Sequence, residues 1–88
     1  MSLYRQLSEA IASTLHTLYD LNTTADEITL TATRPEFEGH MTLVVFPYLK
    51  ASHKSPQETA ETIGAKLQEQ IDLIASYGVV KGFLNLTL

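Results

Sequence analysis

The final ten residues, Val79 to Leu88, constrain the fold more than any other segment. Every second residue is aliphatic apart from one glycine: Val80, Gly82, Leu84, Leu86 and Leu88. The residues between them are Lys81, Phe83, Asn85 and Thr87. Because successive side chains of a strand point to opposite faces, this alternation predicts one half-buried strand, with its aliphatic face on a core and its mixed face in water.

The mixed face of this predicted strand carries three side chains that could hold a planar polar group. The Phe83 ring can stack on such a group, the Asn85 carboxamide can pair with its edge, and the Lys81 ammonium can contact a nearby phosphate. An ordinary strand with mixed outer residues fits the same spacing. The alternation alone therefore leaves a binding face and a plain solvated face open.

Composition describes one small globular domain. The 88 residues are 44% hydrophobic and include no cysteine, so disulfides and thiolate metal sites are excluded. No run approaches the roughly 18 apolar residues of a membrane span, so we expect a cytoplasmic protein without a membrane partner. The chain stops on Leu88 without a polar tail, and we therefore expect residues 1–88 to be a domain cut from a longer polypeptide.

Net charge limits the ways in which this chain could bind nucleic acid. Six Lys and Arg residues face ten Asp and Glu residues, which gives a formal charge of −4. A free-standing nucleic-acid-binding domain normally carries a basic stripe. Tight, charge-driven binding by this domain alone is therefore not expected, whereas a local contact inside a larger complex needs no net positive charge.

Two amphipathic helices are predicted from apolar spacing. The first is capped by Ser2 and has the stripe Leu3, Leu7, Ile11, Leu15 and Leu18. The second begins at Ser55-Pro56, with Glu58 expected to reach back to the N–H of the capping serine. Its stripe is Ala60, Ile63, Leu67, Ile71 and Ile74, with Gly78 in the expected C-cap region.

Two further strands are predicted before the second helix. Residues 28–33 alternate strictly between aliphatic residues and threonine, and Arg34-Pro35 ends this strand. Residues 41–46 are apolar and β-branched, which favours a buried strand followed by a short helix at Pro47. A single helix from Thr42 is the alternative, but it would bury Pro47 in its interior at a cost of about 3 kcal/mol. The predicted fold is α+β, a small, mainly antiparallel sheet covered on one face by helices.

The sequence contains no recognisable active site. His16, His40 and His53 have no spaced metal-ligand partners, and no glycine-rich phosphate loop or nucleophile elbow is present. Glu36 and Glu38 could form a carboxylate pair but fit the polar edge of a turn better. The basic segment with Lys50, His53 and Lys54 could contact phosphate or could be solvated. We therefore expect these residues to have no catalytic activity and no cofactor of their own.

Three segments together resemble the N-terminal additional domain of arginyl-tRNA synthetases, most closely the Bacteroidetes branch. They are Gly39-His-Met-Thr42, Ser55-Pro-Gln-Glu-Thr-Ala60 and Gly82-Phe-Leu-Asn85, and the resemblance spans nearly the whole chain. The family usually has Asp at position 40 and Tyr-Gln at positions 41 and 42. It is also often helical after that glycine, which is the opposite of the strand predicted from residues 41–46.

The resemblance implies a role in tRNA recognition. In this family the domain packs on the outer corner of tRNA, where an aromatic ring and a carboxamide on the last strand hold the D-loop base at position 20. Phe83 and Asn85 match those positions. The full enzyme attaches arginine to tRNA(Arg) with ATP and Mg, using separate catalytic and anticodon-binding domains. An interdomain or protein-interaction module is the alternative, and a small free-standing enzyme is a third possibility.

Overall fold

Residues 2–88 are described by the computed structural model and contain three helices and four strands. The helices are α1 (Leu3–Tyr19), α2 (Leu49–Ser52) and α3 (Pro56–Gln70), and the strands are β1 (Leu30–Ala32), β2 (Met41–Val44), β3 (Ser76–Val80) and β4 (Phe83–Thr87). Short 3-10 turns at Ala25–Glu27 and Phe46–Tyr48 lie between them.

The strands form one antiparallel sheet in the order β1-β2-β4-β3. Helices α1 and α3 pack on each other and cover one face, where they enclose a single apolar core with the sheet. Leu43 and Leu84 are directly paired across β2 and β4 and are almost completely buried in that core. The α+β prediction, with helices on one face of the sheet, is confirmed.

Both predicted helix starts are confirmed, and each is capped by a serine hydroxyl that bonds within the first turn. The Ser2 hydroxyl accepts a hydrogen bond from the Arg5 N–H at 3.1 Å, and the Ser55 hydroxyl accepts one from the Glu58 N–H at 3.1 Å. The Glu58 carboxylate accepts from the Ser55 hydroxyl and not, as predicted, from the Ser55 N–H. The stripe on α1 is correct apart from Leu3, which is exposed on the first turn of the helix.

The predicted end of the second helix was wrong. Helix α3 stops at Gln70, and Ile71 already has extended backbone angles. Ile74 is buried as the stripe required, but it reaches the core from irregular backbone between α3 and β3, and Gly78 lies inside β3. The helix cannot continue to Gly78 because strand pairing begins before that residue. The Ala75 N–H donates to the Thr87 carbonyl at 2.8 Å, directly before β3.

The segment after Gly39 is a strand, as the proline argument predicted, but it ends at Val44 and not at the predicted residue 46, because Phe46 already begins the 3-10 turn. Strand β2 pairs with both β1 and β4, and Pro47 lies at the start of the 3-10 turn that leads into α2. The first predicted strand is shorter than its alternating pattern. Ile28 and Leu30 are buried, whereas Ala32 is exposed at the end of β1.

The single closing strand predicted from residue 79 onward was also wrong. Lys81 and Gly82 have positive φ angles of 49° and 85°, and they form the two-residue turn of a hairpin between β3 and β4. Val80 pairs with Phe83 across this turn. Val80 therefore lies on the face of Phe83, and Val79 lies on the core face with Leu84, which reverses the assignment made from simple alternation.

Candidate nucleic-acid interface

The sheet face opposite the helices carries the residues that the sequence singled out. One row of neighbours crosses all four strands as Thr31, Thr42, Asn85 and Gly78. The next row contains Val44, Phe83 and Val80. Phe83 and Asn85 thus share one face of β4, whereas Leu84 and Leu86 are completely buried on the other, as predicted.

The Phe83 ring is partly buried and packs on a second ring that the sequence analysis did not link to it. The Phe46 and Phe83 ring centroids are 6.2 Å apart and their planes meet at 83°. Phe46 is 48% exposed, so the pair forms an apolar rim at one side of the open face. Perpendicular aromatic packing of this kind fixes the plane of a ring that could stack on a ligand.

The Asn85 side chain was expected in open water but is only 4% exposed. Its Oδ1 atom accepts a hydrogen bond from the Thr42 hydroxyl at 2.7 Å, and Thr42 lies 2.9 Å from the Thr33 hydroxyl. Gly39 covers this group from the loop, since a Cβ there would lie 3.1 Å from Thr33 Oγ1 and 3.2 Å from Asn85 Cβ. The carboxamide is therefore a positioned group at the base of a pocket.

Lys81 borders the same pocket from the hairpin turn, not from a strand. Gly82 holds that turn close to the protein, because a Cβ at this position would lie about 3 Å from Pro56 and from the Phe46 ring. Its positive φ adds a second reason for glycine. The turn thus places an exposed ammonium beside the rim formed by the two phenylalanines.

Two pocket residues were missed by the sequence analysis. Arg34 and Phe37 lie in the turn after β1, which is closed by a hydrogen bond from the Phe37 N–H to the Arg34 carbonyl at 3.0 Å. Both line the open pocket, and Phe37 is 38% exposed. The Arg-Pro pair was interpreted only as a strand terminator. No sequence periodicity could bring this turn to β4, because β2 lies between them in the sheet.

The pocket has a volume of about 510 Å³ and is lined mainly by apolar surface. Polar groups reach it from Thr31, Thr42 and Asn85, and the cations Arg34 and Lys81 lie at its edge. Gly78 leaves open space next to Asn85, since an added Cβ would meet nothing within 4 Å. This arrangement can hold a flat ring with one polar edge and an anionic group beside it.

Within residues 2–88, two of the six Lys and Arg residues are paired with carboxylates, and the two pocket cations are not among them. Arg5 contacts Glu9 and Asp26, and Lys66 contacts Glu69. Over residues 2–88, no carboxylate oxygen lies within 4.0 Å of the charged groups of Arg34, Lys50, Lys54 and Lys81. Lys50 and Lys54 are exposed around His53, which ends α2, and none of these three lines the pocket.

The other candidates from the sequence, which are His16, His40, Glu36 and Glu38, either hydrogen-bond within the fold or are exposed on its surface. The His40 Nδ1 atom accepts the Leu88 N–H at 3.0 Å, which joins the start of β2 to the end of the chain. His16 is exposed near Asp20 on α1. Glu36 and Glu38 are exposed in the loop before β2. Across residues 2–88 no group of three or more potential ligands could hold a metal ion, and no helix is long and apolar enough to cross a membrane.

Residues 5–88 match the family described as the arginyl tRNA synthetase N terminal domain. The chain belongs to this family. The match covers all four strands of the sheet and every residue that lines the pocket, so the family assignment and the pocket concern the same residues.

Curated relatives agree with this family assignment. An arginine–tRNA ligase of Phocaeicola vulgatus is 46% identical over 89 residues, and one of Parabacteroides distasonis is 44% identical over 88 residues. Each match covers 100% of this chain and 15% of the relative, so the chain spans 15% of the length of these relatives. The predicted resemblance to the Bacteroidetes branch is confirmed.

A solved structure shares the fold. The arginyl-tRNA synthetase of Thermus thermophilus superposes with a TM-score of 0.80 over 99% of this chain and 14% of that chain, at 24% identity. The shared arrangement of helices and sheet supports the fold of this N-terminal domain independently of the pocket residues.

Proposed function

We propose that this chain is the tRNA-binding N-terminal domain of a longer arginine–tRNA ligase, and that its open sheet face holds an unpaired nucleotide of the tRNA(Arg) D-loop. The observation that carries the proposal is the pocket in which Phe83, Asn85 and Lys81 meet on one face of a domain from this family. The resemblance of Phe83 and Asn85 to the family's base-holding pair supports the same assignment.

Each of these pocket groups suits one part of a nucleotide. A base can stack on Phe83, whose ring plane is held by Phe46. Asn85 can pair with the edge of that base, and Lys81 and Arg34 can approach the phosphates on either side. An extruded single-stranded base is the form of RNA that proteins commonly recognise in this way.

The acidic net charge is compatible with this role. Stacking contributes about 1–3 kcal/mol per base, which is enough to discriminate between tRNAs but not to bind one tightly. The catalytic and anticodon-binding domains of the full ligase would supply most of the affinity. ATP, Mg and arginine belong to those domains, and the proposed location is the cytoplasm.

The test is substitution of Phe83 in the full-length ligase. Phe83→Leu removes the ring but keeps an apolar side chain beside Phe46, and we expect kcat/KM for tRNA(Arg) to fall about 5- to 150-fold, which corresponds to the loss of one stacked base. The KM values for arginine and ATP at saturating tRNA should not change, because the pocket contacts neither. Aminoacylation kinetics with varied tRNA measure both effects.

A matched control is available on the opposite side of the molecule. Tyr4→Leu also removes an exposed ring, but from the first turn of α1, and it should leave tRNA kinetics unchanged. Unchanged kinetics for Phe83→Leu, with an unaltered melting temperature, would refute the proposed base contact.

A protein-docking role is the second candidate, because Phe37, Val44 and Phe83 also give the pocket an apolar lining that another domain could cover. That role predicts a Phe83 ring that is buried in the full-length protein and protected from solvent when tRNA is absent. Hydrogen exchange of the Lys81 and Gly82 turn amides in the full-length chain, with and without tRNA, separates the two candidates, because the β4 amides are paired with β2 and β3 in either case. Protection that appears only with tRNA supports the nucleotide site.

A further inference from the structure

We infer that Thr42 is a positioning residue that fixes the orientation of the Asn85 carboxamide, so that the pocket presents a hydrogen-bond donor to the nucleobase. The inference rests on the proposed function. It adds that the site selects a base edge that accepts a hydrogen bond. The sequence predicted a strand at Thr42 and a departure from the family's usual Tyr-Gln there, but it indicated no contact with Asn85.

The orientation of the carboxamide depends on two hydroxyl groups, that of Thr42 on β2 and that of Thr33 just after β1. Thr42 lies directly beside Asn85 across β2 and β4, and its hydroxyl donates to Asn85 Oδ1 at 2.7 Å. The Thr42 hydrogen is used in that bond, so Thr33, at 2.9 Å, donates to Thr42. All three side chains are at least partly buried, which strengthens bonds that water would otherwise exchange.

The other end of the carboxamide is directed to the pocket. No acceptor from residues 2–88 bonds to Asn85 Nδ2, yet this atom is not among the fully buried polar atoms that lack partners. It therefore remains accessible, and Asn85 lines the pocket. A rotated carboxamide would place Nδ2 on Thr42 and would turn its carbonyl oxygen to the ligand instead.

The backbone of Gly39 packs close to Thr33 and to the Asn85 Cβ, at the two ends of this hydrogen-bonded group. A Cβ at Gly39 would lie 3.1 Å from Thr33 Oγ1 and 3.2 Å from Asn85 Cβ, so the loop lies in contact with Thr33 and Asn85. The presented N–H can donate to a keto oxygen or an unprotonated ring nitrogen. It cannot pair with an exocyclic amino group, which also donates.

The experiment measures base discrimination by the full-length ligase. The wild type and variants are assayed with tRNA(Arg) transcripts in which each unpaired D-loop base is replaced in turn. The readout is the ratio of kcat/KM for the parent transcript to kcat/KM for the most harmful base replacement. Thr42→Val keeps the shape and β-branching but removes the hydroxyl, and we expect this ratio to fall about tenfold.

Three controls make the result specific. Thr42→Ser retains a hydroxyl and should keep the discrimination ratio of the wild type. Thr87→Val makes the same change on β4, at a position outside the pocket lining that does not bond to Asn85, and should also keep it. In an Asn85→Ala ligase, the additional change Thr42→Val should not alter the discrimination ratio any further, because Thr42 acts only through Asn85.

The outcomes separate this inference from the proposed function. A Thr42→Val ligase with unchanged discrimination overturns the positioning role, even where Phe83→Leu lowers kcat/KM for tRNA. Further loss on adding Thr42→Val to Asn85→Ala also overturns it. If Phe83→Leu and Asn85→Ala both leave tRNA kinetics unchanged, the proposed nucleotide site itself is wrong.

Discussion

The two faces of β4 give adjacent residues opposite roles. Leu84 and Leu86 are completely buried between the sheet and the helices, whereas Phe83 and Asn85 face the pocket. Phe83 and Asn85 also make contacts within the domain, because Phe83 packs on Phe46 and Asn85 bonds to Thr42. Substitutions at these positions therefore need stability measurements beside kinetic ones.

Leu86→Ala should destabilise the domain by about 2–5 kcal/mol, since it leaves a cavity in a close-packed core. Leu3→Ala makes the same chemical change at a side chain that is 54% exposed, and should shift the free energy of unfolding within about 0.5 kcal/mol. Urea denaturation of the 88 residues compares the two. Equal values for both variants would contradict the assignment of the core face.

At the scale of elements, helix starts and helix ends have different origins. The start of α3 depends on Ser55 and Pro56, which act within one turn. Its end at Gln70 depends on the pairing of Ala75 with Thr87, a residue from a different strand. The hydrophobic stripe continues past this end because Ile71 and Ile74 still fill the core from non-helical backbone.

Ser55→Ala should lower the free energy of unfolding by about 1 kcal/mol, because the Glu58 N–H loses its acceptor. Ser13→Ala is the matched control, since Ser13 is exposed in the middle of α1 and alanine is the better helix former there. Denaturant melts followed by circular dichroism measure both. If Ser55→Ala does not lower the free energy of unfolding relative to the wild type, the cap does not contribute to stability.

At the scale of the whole molecule, the arrangement of charge matters more than its sum. The chain carries a formal charge of −4, yet Arg34 and Lys81 border the pocket without a carboxylate within 4.0 Å among residues 2–88. Surface charges act over about 8–10 Å at physiological salt. An acidic domain can therefore still place two cations that have no ion-pair partner among these residues where a phosphate would approach the pocket.

Lys81→Ala should weaken tRNA use by the full-length ligase and reduce the slope of log(kcat/KM) against log[salt] by about 1, as one lost phosphate contact requires. Lys66→Ala removes the same charge from α3, where Lys66 pairs with Glu69, and should leave the slope unchanged. Aminoacylation rates over a salt series measure the two slopes. Equal slopes for Lys81→Ala and the wild type would exclude a phosphate contact by Lys81.

Local patterns in the sequence predicted the elements whose causes are local. The apolar stripe and Ser2 predict α1, Ser55-Pro56 predicts the start of α3, and the alternation around Leu84 predicts which face of β4 is buried. These features need only side-chain periodicity, capping hydrogen bonds and the missing N–H of proline. The candidate pair Phe83 and Asn85 follows from the same alternation.

Tertiary structure decided what depends on residues far apart in the chain. The hairpin turn at Lys81-Gly82 exchanges the faces of Val79 and Val80, because a two-residue turn pairs residue 80 with residue 83. Burial of Asn85 depends on Thr42, which is 43 residues away. The pocket edge depends on Arg34, which follows β1 and is separated from β4 in the sheet by β2. Alternation along the sequence determines which face of its strand a side chain occupies. Only the pairing of strands determines which residues of other strands lie beside it.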